Sequence, residues 1–542
     1  MIAKSRININ VNPQGDVMRW KRRFCAAFLG MALCCGASGA QAAEAKAADR
    51  ELVLANYRDI RNLNPHLYSG EIFAQNLIFE SLVINTEKGV EPWLAERWTV
   101  SDDGKVYTFY LRKDVLFSDG EKFDAKAAKC NFDAILANGE RHTWLEMIKL
   151  MDKVEAVDDH TLRIALKEPY YPFLIEIGVT RPFRFISPKS MKDGGTKDGV
   201  TSYVGTGPYV LADNKVDQVA TFTANDKYWG KKPAIKTLKA RVIPDNQARL
   251  LALKKGEIDL IYGTNLLDAE TMRQTETSKE FGAALSKPLS TRNILVNSSR
   301  PSLGDKRVRQ ALQHLTDRKA VSEGIFNGIE SPADFVLAPT VPYCNVGLTP
   351  YAFSHAKADA LLDAAGWKQT APGKPREKDG KPLVFDLYYN SNSVTEKDIS
   401  EYLQSEFLKS GVQLNLHGEE EQAYRDRMKA GDFDIVHNIS WGTPYDPQSF
   451  IGGMVRVVYG DYKAQLGLPD KQKIDETIRA ILVSTDPAKR QELFNWLLTT
   501  LHDEAVYLPL TYQRNRAVFT KDLQNVTFNP SQFEIPLEKM AF

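Results

Sequence analysis

Three short stretches of the chain concentrate cationic and aromatic side chains. They are Arg141-His142-Thr143-Trp144, Arg181-Pro182-Phe183-Arg184-Phe185 and the turn-like Trp441-Gly442-Thr443-Pro444-Tyr445-Asp446-Pro447. A guanidinium grips a carboxylate through two parallel hydrogen bonds, and flat aromatic walls strengthen that grip by excluding water. The clusters therefore suit an anionic, partly flat ligand. Spacing alone leaves a second reading open, in which the arginines pair with structural acids and the tryptophans fill a core.

Catalytic chemistry has no comparable signature. The chain holds no G-x-S-x-G, Walker loop, H-E-x-x-H or C-x-x-C pattern. Its eight histidines are scattered, none paired at helical metal-ligand spacing. No local pattern singles out an acid/base pair of carboxylates. A binding protein is expected, not an enzyme.

The elements that would position these residues are mixed. Lys105 to Leu111 is β-branched and aromatic, and Leu162, Ile164 and Leu166 alternate with polar residues, so both read as strands. Asp305 is placed to cap a helix with Val308, Ala311, Leu312 and Leu315 on one face. Ser354 caps another that stops at Gly366. Asp486-Pro487 opens a third, with Leu493, Trp496, Leu497 and Leu501 as its stripe. Ser101–Gly104, Ser118–Gly120 and Gly205–Tyr209 carry turn chemistry, and 371–382 reads as an exposed hairpin.

Composition narrows the class. The 542 residues are 43% hydrophobic and 26% charged, as in a globular protein, and exceed what one ordinary domain needs. Arg19, Lys21, Arg22 and Arg23 precede an apolar run from Phe24 to Leu33 and the small-residue exit Ala40-Gln41-Ala42. That order is a secretory signal peptide over 1–42, with Met18 as an alternative start. Its removal takes six of the basic residues and one acid, leaving a slightly acidic chain with no nucleic-acid surface. Of the five cysteines only Cys130 and Cys344 remain, too few for a disulfide framework.

Several segments resemble the peptide- and nickel-binding extracellular solute-binding proteins. They are Glu91-Pro92-Trp93-Leu94-Ala95-Glu96-Arg97-Trp98, Leu111-Arg112-Lys113-Asp114-Val115, Gly205-Thr206-Gly207-Pro208-Tyr209, Asn225-Asp226-Lys227-Tyr228-Trp229-Gly230 and Lys255-Gly256-Glu257-Ile258-Asp259. The likeness covers nearly all of the mature chain. Leu63–Tyr68, Arg141–Glu146, Tyr170–Leu174, Arg181–Phe185 and Leu501–Pro509 are similar to the nickel-binding branch. Where peptide-binding relatives carry an aspartate that holds the ligand's amino terminus, this chain has Pro444.

The resemblance implies an α/β, two-lobed periplasmic-binding-protein fold of the Venus-flytrap type. Lobe I would hold 43–289 and 511–542, lobe II 290–510, with crossings near Asn293 and Leu508. It implies a periplasmic monomer that captures nickel wrapped in a small carboxylate chelator and docks on an inner-membrane ABC permease. The nickel is cargo. Arg141 and Arg181 would clamp the chelator, between walls from Trp144, Trp441, Tyr445, Tyr68 and Tyr424. Peptides, haem or an iron chelate are the alternative ligands on the same fold. Two positions depart from the branch. Ile72 replaces a pocket methionine, and Tyr459 stands where a histidine ligates nickel. A phenol, with a pKa near about 10, is a poorer Ni(II) ligand than imidazole, so the protein's own metal ligand is undefined.

Overall fold

A computed structural model describes residues 50–264, 266–440, 447–529, 531 and 533–542. The expected signal peptide, Trp441 and Tyr445 lie outside them. Among the described residues no helix is long and apolar enough to cross a membrane.

Two mixed sheets organise the chain. The first has the strand order Tyr209–Lys215, Val219–Ala224, Thr237–Val242, Leu52–Asn56, Leu260–Gly263, Arg516–Thr520, Phe281–Leu285. The second runs Ser331–Pro332, Tyr507–Gln513, Ser290–Val296, Ile435–Ile439, Val384–Asn390, Gln413–Glu419. A four-stranded antiparallel sheet, Ala95–Val100, Val106–Leu111, Thr161–Leu166 and Met151–Asp158, accompanies the first. Helix Ala125–Ala137 packs against it and buries Ala128, Phe132 and Ile135.

The strand and helix expectations meet their elements. Phe109, Leu111, Leu162, Ile164 and Leu166 are buried on the four-stranded sheet. Asp305 caps helix Lys306–Leu315 by accepting from the Arg307 amide, and Val308, Ala311, Leu312 and Leu315 are fully buried. Burying each of the larger ones is worth roughly 1.5–3 kcal/mol. Ser354 caps His355–Ala364, and Asp486 caps Pro487–Glu504. On that last helix Leu497 and Leu501 are buried while Leu493 and Trp496 sit at its margin. Glu377–Lys378 and Lys381–Pro382 pair as the hairpin expected in 371–382.

Segments named for their family likeness meet at one buried carboxylate. Glu80 accepts from Trp93 Nε1 at 2.7 Å, Thr206 Oγ1 at 2.7 Å, Trp229 Nε1 at 2.9 Å and the Tyr228 hydroxyl at 3.2 Å. Trp93 and Trp229 meet edge to face, and the Arg112 guanidinium lies 4.3 Å from the Trp229 ring centroid while its Nε donates to the Trp93 carbonyl. Gly205 and Gly207 are required by close approach. A Cβ on Gly205 would stand 2.0 Å from the Ile78 carbonyl oxygen, and one on Gly207 2.6 Å from that of Leu77.

The chain passes twice between the two sheets, through 286–289 and 514–515; the second passage follows strand Tyr507–Gln513 and so comes later than the crossing expected near Leu508. The two passages are tied together. The Ser286 amide donates to the Asn515 carbonyl at 3.0 Å, and the Asn515 amide donates to Ser286 Oγ at 2.8 Å. Beside them Glu330, fully buried, accepts from Arg292 Nε at 2.8 Å, Arg516 Nη2 at 3.2 Å and Thr511 Oγ1 at 2.7 Å. Arg516 belongs to the first sheet and the others to the second, so one carboxylate spans the junction.

Candidate ligand-binding site

Helix Ala125–Ala137 is capped by Asp124, whose carboxylate accepts from the Ala127 amide at 2.8 Å. It ends at Asn138, and the next turn, Gly139–His142, carries Arg141 and His142. Arg141 is exposed and His142 is buried. This short link delivers the 141–146 segment to Tyr68.

Two hydrogen bonds meet at the Tyr68 hydroxyl. Trp144 Nε1 lies 2.7 Å from the Tyr68 oxygen, and His142 Nδ1 lies 2.7 Å from it on another side. An indole N–H can only donate, so Tyr68 accepts from Trp144, and its hydroxyl shares a second hydrogen bond with His142 Nδ1 whose direction follows the histidine tautomer. Burial, reinforced by the charge of Arg141, pushes the His142 pKa down to about 4, so the ring is neutral at neutral pH. The Tyr68 phenol is pushed up to about 12 by burial, against the opposing pull of Trp144, Arg181 and Arg141.

The Arg181 guanidinium lies 5.3 Å from the Tyr68 ring centroid, and its Nη1 donates to the Gly70 carbonyl at 2.8 Å. Burial lowers its pKa from the ordinary arginine value. Among the described residues no carboxylate forms a salt bridge with Arg181 or Arg141. A largely desolvated cation with no carboxylate paired to it is costly, and an anion drawn to it recovers that cost.

Arg184 belongs elsewhere. It is buried, its Nε donates to the carbonyls of Val179 at 3.2 Å and Thr180 at 3.1 Å, and its Nη2 lies 3.7 Å from Glu534. Phe183 and Phe185 fill the core. Of this cluster only Arg181 reaches Tyr68.

The remaining candidates lie in different surroundings. Ile72 starts helix Ile72–Ile78 and is half-buried. Tyr424 is packed in the core of the second half, its hydroxyl donating to the His437 carbonyl at 2.5 Å. Tyr459 is half-buried, its ring centroid 5.9 Å from the Arg425 guanidinium, which also hydrogen-bonds it. Among the described residues no group of three or more His, Cys, Asp or Glu side chains is placed to hold a metal ion. The ring of contacts on Tyr68 and the buried state of His142 were not legible in the sequence. His142 offered only its place beside Arg141.

Two residues beyond Tyr459, Asp461 is buried and accepts at Oδ1 from the Tyr507 hydroxyl and Asn438 Nδ2, both at 2.9 Å. Burial pushes its pKa up to about 6. The folded pKa is above the unfolded one, so the stability contributed by the protonated acid is complete below about pH 4 and is lost as pH rises through about 6. Asp461→Asn should remove that slope. Denaturant titrations from pH 4 to 7 should show the variant gaining roughly 1–3 kcal/mol relative to the parent across the range. Parallel curves would mean that Asp461 does not titrate there.

Comparison with known proteins bears on this geometry. Residues 89–458 match the model of the bacterial extracellular solute-binding proteins, family 5. The chain belongs to this family. It is 40% identical to the nickel-binding periplasmic protein of Escherichia coli (strain K12) over 91% of this chain and 95% of that protein. It is 26% identical to the dipeptide-binding protein of the same organism, over 89% and 92%. NikA from Brucella suis in complex with Fe(III)-EDTA superposes with a TM-score of 0.89 at 45% identity, covering 91% of this chain and 99% of that one. The two sheets and double crossing are thus a two-lobed α/β periplasmic-binding-protein fold.

Proposed function

We propose that this chain is a periplasmic solute-binding protein that captures a small anionic metal chelate, nickel held by a carboxylate chelator. It closes its two lobes on the complex and delivers it to an inner-membrane ABC permease. The observation that carries the reading is Arg181: desolvated, without a carboxylate partner among the described residues, and set against the Tyr68 ring. Fe(III)-EDTA, the ligand of the Brucella suis relative, is an anionic metal polycarboxylate, and the Escherichia coli relative is a nickel-binding protein. In this reading Arg181 and Arg141 hold the carboxylates, and Tyr68, Trp144, Trp441 and Tyr445 form walls. Ile72 and Tyr459 border the cleft, and Tyr424, expected as a wall, is taken up in the core of the second half. Lobe I comprises the residues up to 289 and those from 514 onward, lobe II 290–513, because strand Tyr507–Gln513 pairs within the second sheet. The protein works as an exported monomer that starts near Ala43, and it performs no chemistry on its cargo.

Calorimetric titration with nickel alone, with nickel plus L-histidine and with Fe(III)-EDTA tests the reading. Mass spectrometry of the protein as purified adds the native ligand. Chelates should bind at least about a hundredfold more tightly than bare nickel, because charge-assisted contacts are made to carboxylates. A co-purified peptide with no chelate binding would replace the proposal.

Tyr459 sharpens it. A wall residue tolerates loss of its hydroxyl, so Tyr459→Phe should change chelate affinity by less than about threefold, the worth of one weak neutral hydrogen bond. Tyr459→His should tighten nickel binding when the chelator leaves a coordination position open. Tight binding of bare nickel by the parent, abolished in Tyr459→Phe, would make the tyrosine a metal ligand.

A further inference from the structure

The two halves of the molecule meet at a contact that runs into the proposed ligand wall. Arg456 follows the short turn Gly453–Val455 in the second half. Its Nη1 pairs with the Glu146 carboxylate of the first half, and its Nη2 donates to the Trp144 carbonyl at 2.8 Å. The partners are more than 300 residues apart in sequence, and both side chains are largely shielded, at 23% and 31% exposure. Lys149 is the other cation near Glu146, at 3.8 Å, and is much more exposed. A second contact joins the halves alongside. The Tyr171 amide donates to the Leu482 carbonyl at 2.9 Å, and the Arg490 guanidinium lies 3.6 Å from the Tyr171 ring centroid.

We propose that Arg456 is a positioning residue that couples lobe closure to the aromatic wall of the ligand site. This rests on the reading above only in taking Trp144 as a wall. One guanidinium holds both the backbone of Trp144 and the carboxylate two residues on, so it sets where the indole stands. The indole in turn donates to Tyr68, which is also hydrogen-bonded to His142. These bonds from Arg456 exist only while the halves are together, so they favour the closed state over the open one. A ligand enters and leaves through the open state, so the contact should slow release strongly and slow capture only by the share of the empty protein that it holds closed.

The test uses the full mature chain with Fe(III)-EDTA as probe, followed by stopped-flow tryptophan fluorescence, and small-angle scattering of the protein without added ligand. Arg456→Ala should raise koff about five- to thirtyfold, with kon within about twofold of the parent. Its radius of gyration should increase. Arg456→Lys keeps the charge opposite Glu146 but loses the two-pronged reach, so it should fall between. A merely structural role would lower the melting temperature and leave koff alone, and that result overturns the proposal, as would unchanged koff and scattering. Should the parent fail to bind Fe(III)-EDTA, the chelate reading suffers. The scattering still decides the latch: a larger Arg456→Ala particle supports it, and identical curves overturn it.

Discussion

Alanine at Arg181 is expected to weaken Fe(III)-EDTA binding about ten- to a hundredfold, the worth of one or two charge-assisted hydrogen bonds in a shielded setting. The fold should survive, because among the described residues Arg181 forms no salt bridge and its one hydrogen bond goes to the Gly70 carbonyl. Alanine at Arg141 should cost less, about three- to tenfold, because that side chain is exposed and water screens it. The ordering follows from burial. Arg163, exposed on the four-stranded sheet, is the control, and its alanine variant should bind as the parent does. Calorimetry on the three variants, with circular dichroism to check the fold, decides the matter. If Arg181→Ala and Arg141→Ala both bind within twofold of the parent, the carboxylate clamp is wrongly assigned.

Loss of Glu80 should give the largest fall in stability. Its carboxylate serves two indole N–H groups and two hydroxyls, and burial raises its pKa from the usual range. Glu80→Ala strands these donors in a dry interior, at about 1–3 kcal/mol for each one left unpaired, and relaxation of the cavity recovers part of that. A net loss of about 3–5 kcal/mol in urea denaturation is expected. Glu80→Gln separates shape from acceptor capacity. The amide keeps the volume but turns an NH2 toward two donors, so it should also lose about 2 kcal/mol or more. Parental stability in Glu80→Gln would show that the site needs only its volume.

Much of this architecture is legible along the chain. The caps at Asp305, Ser354 and Asp486 and the alternation at Leu162, Ile164 and Leu166 are local, because a cap bonds the next turn and a strand shows one face at every second residue. The family-like segments were legible as motifs, but their common purpose was not. Trp93, Thr206 and the adjacent pair Tyr228-Trp229 are far apart in sequence and converge only where Glu80 is buried. Glu80 itself carried no signal, since an isolated glutamate reads as surface.

Locally encoded features were therefore settled by the sequence: helix starts, strand faces, the hairpin at 371–382 and the presence of arginines beside aromatic rings. Tertiary structure decided which arginine does what. Arg181 and Arg184 stand three residues apart in one motif, yet one faces Tyr68 and the other is locked against backbone carbonyls and Glu534. It also decided that Tyr424 spends its hydroxyl on the His437 carbonyl and that Arg456 reaches across to Trp144. The reason is physical. Capping and periodicity depend on neighbours within a turn or two, whereas desolvation and charge pairing depend on which distant segments the fold brings within a few ångströms.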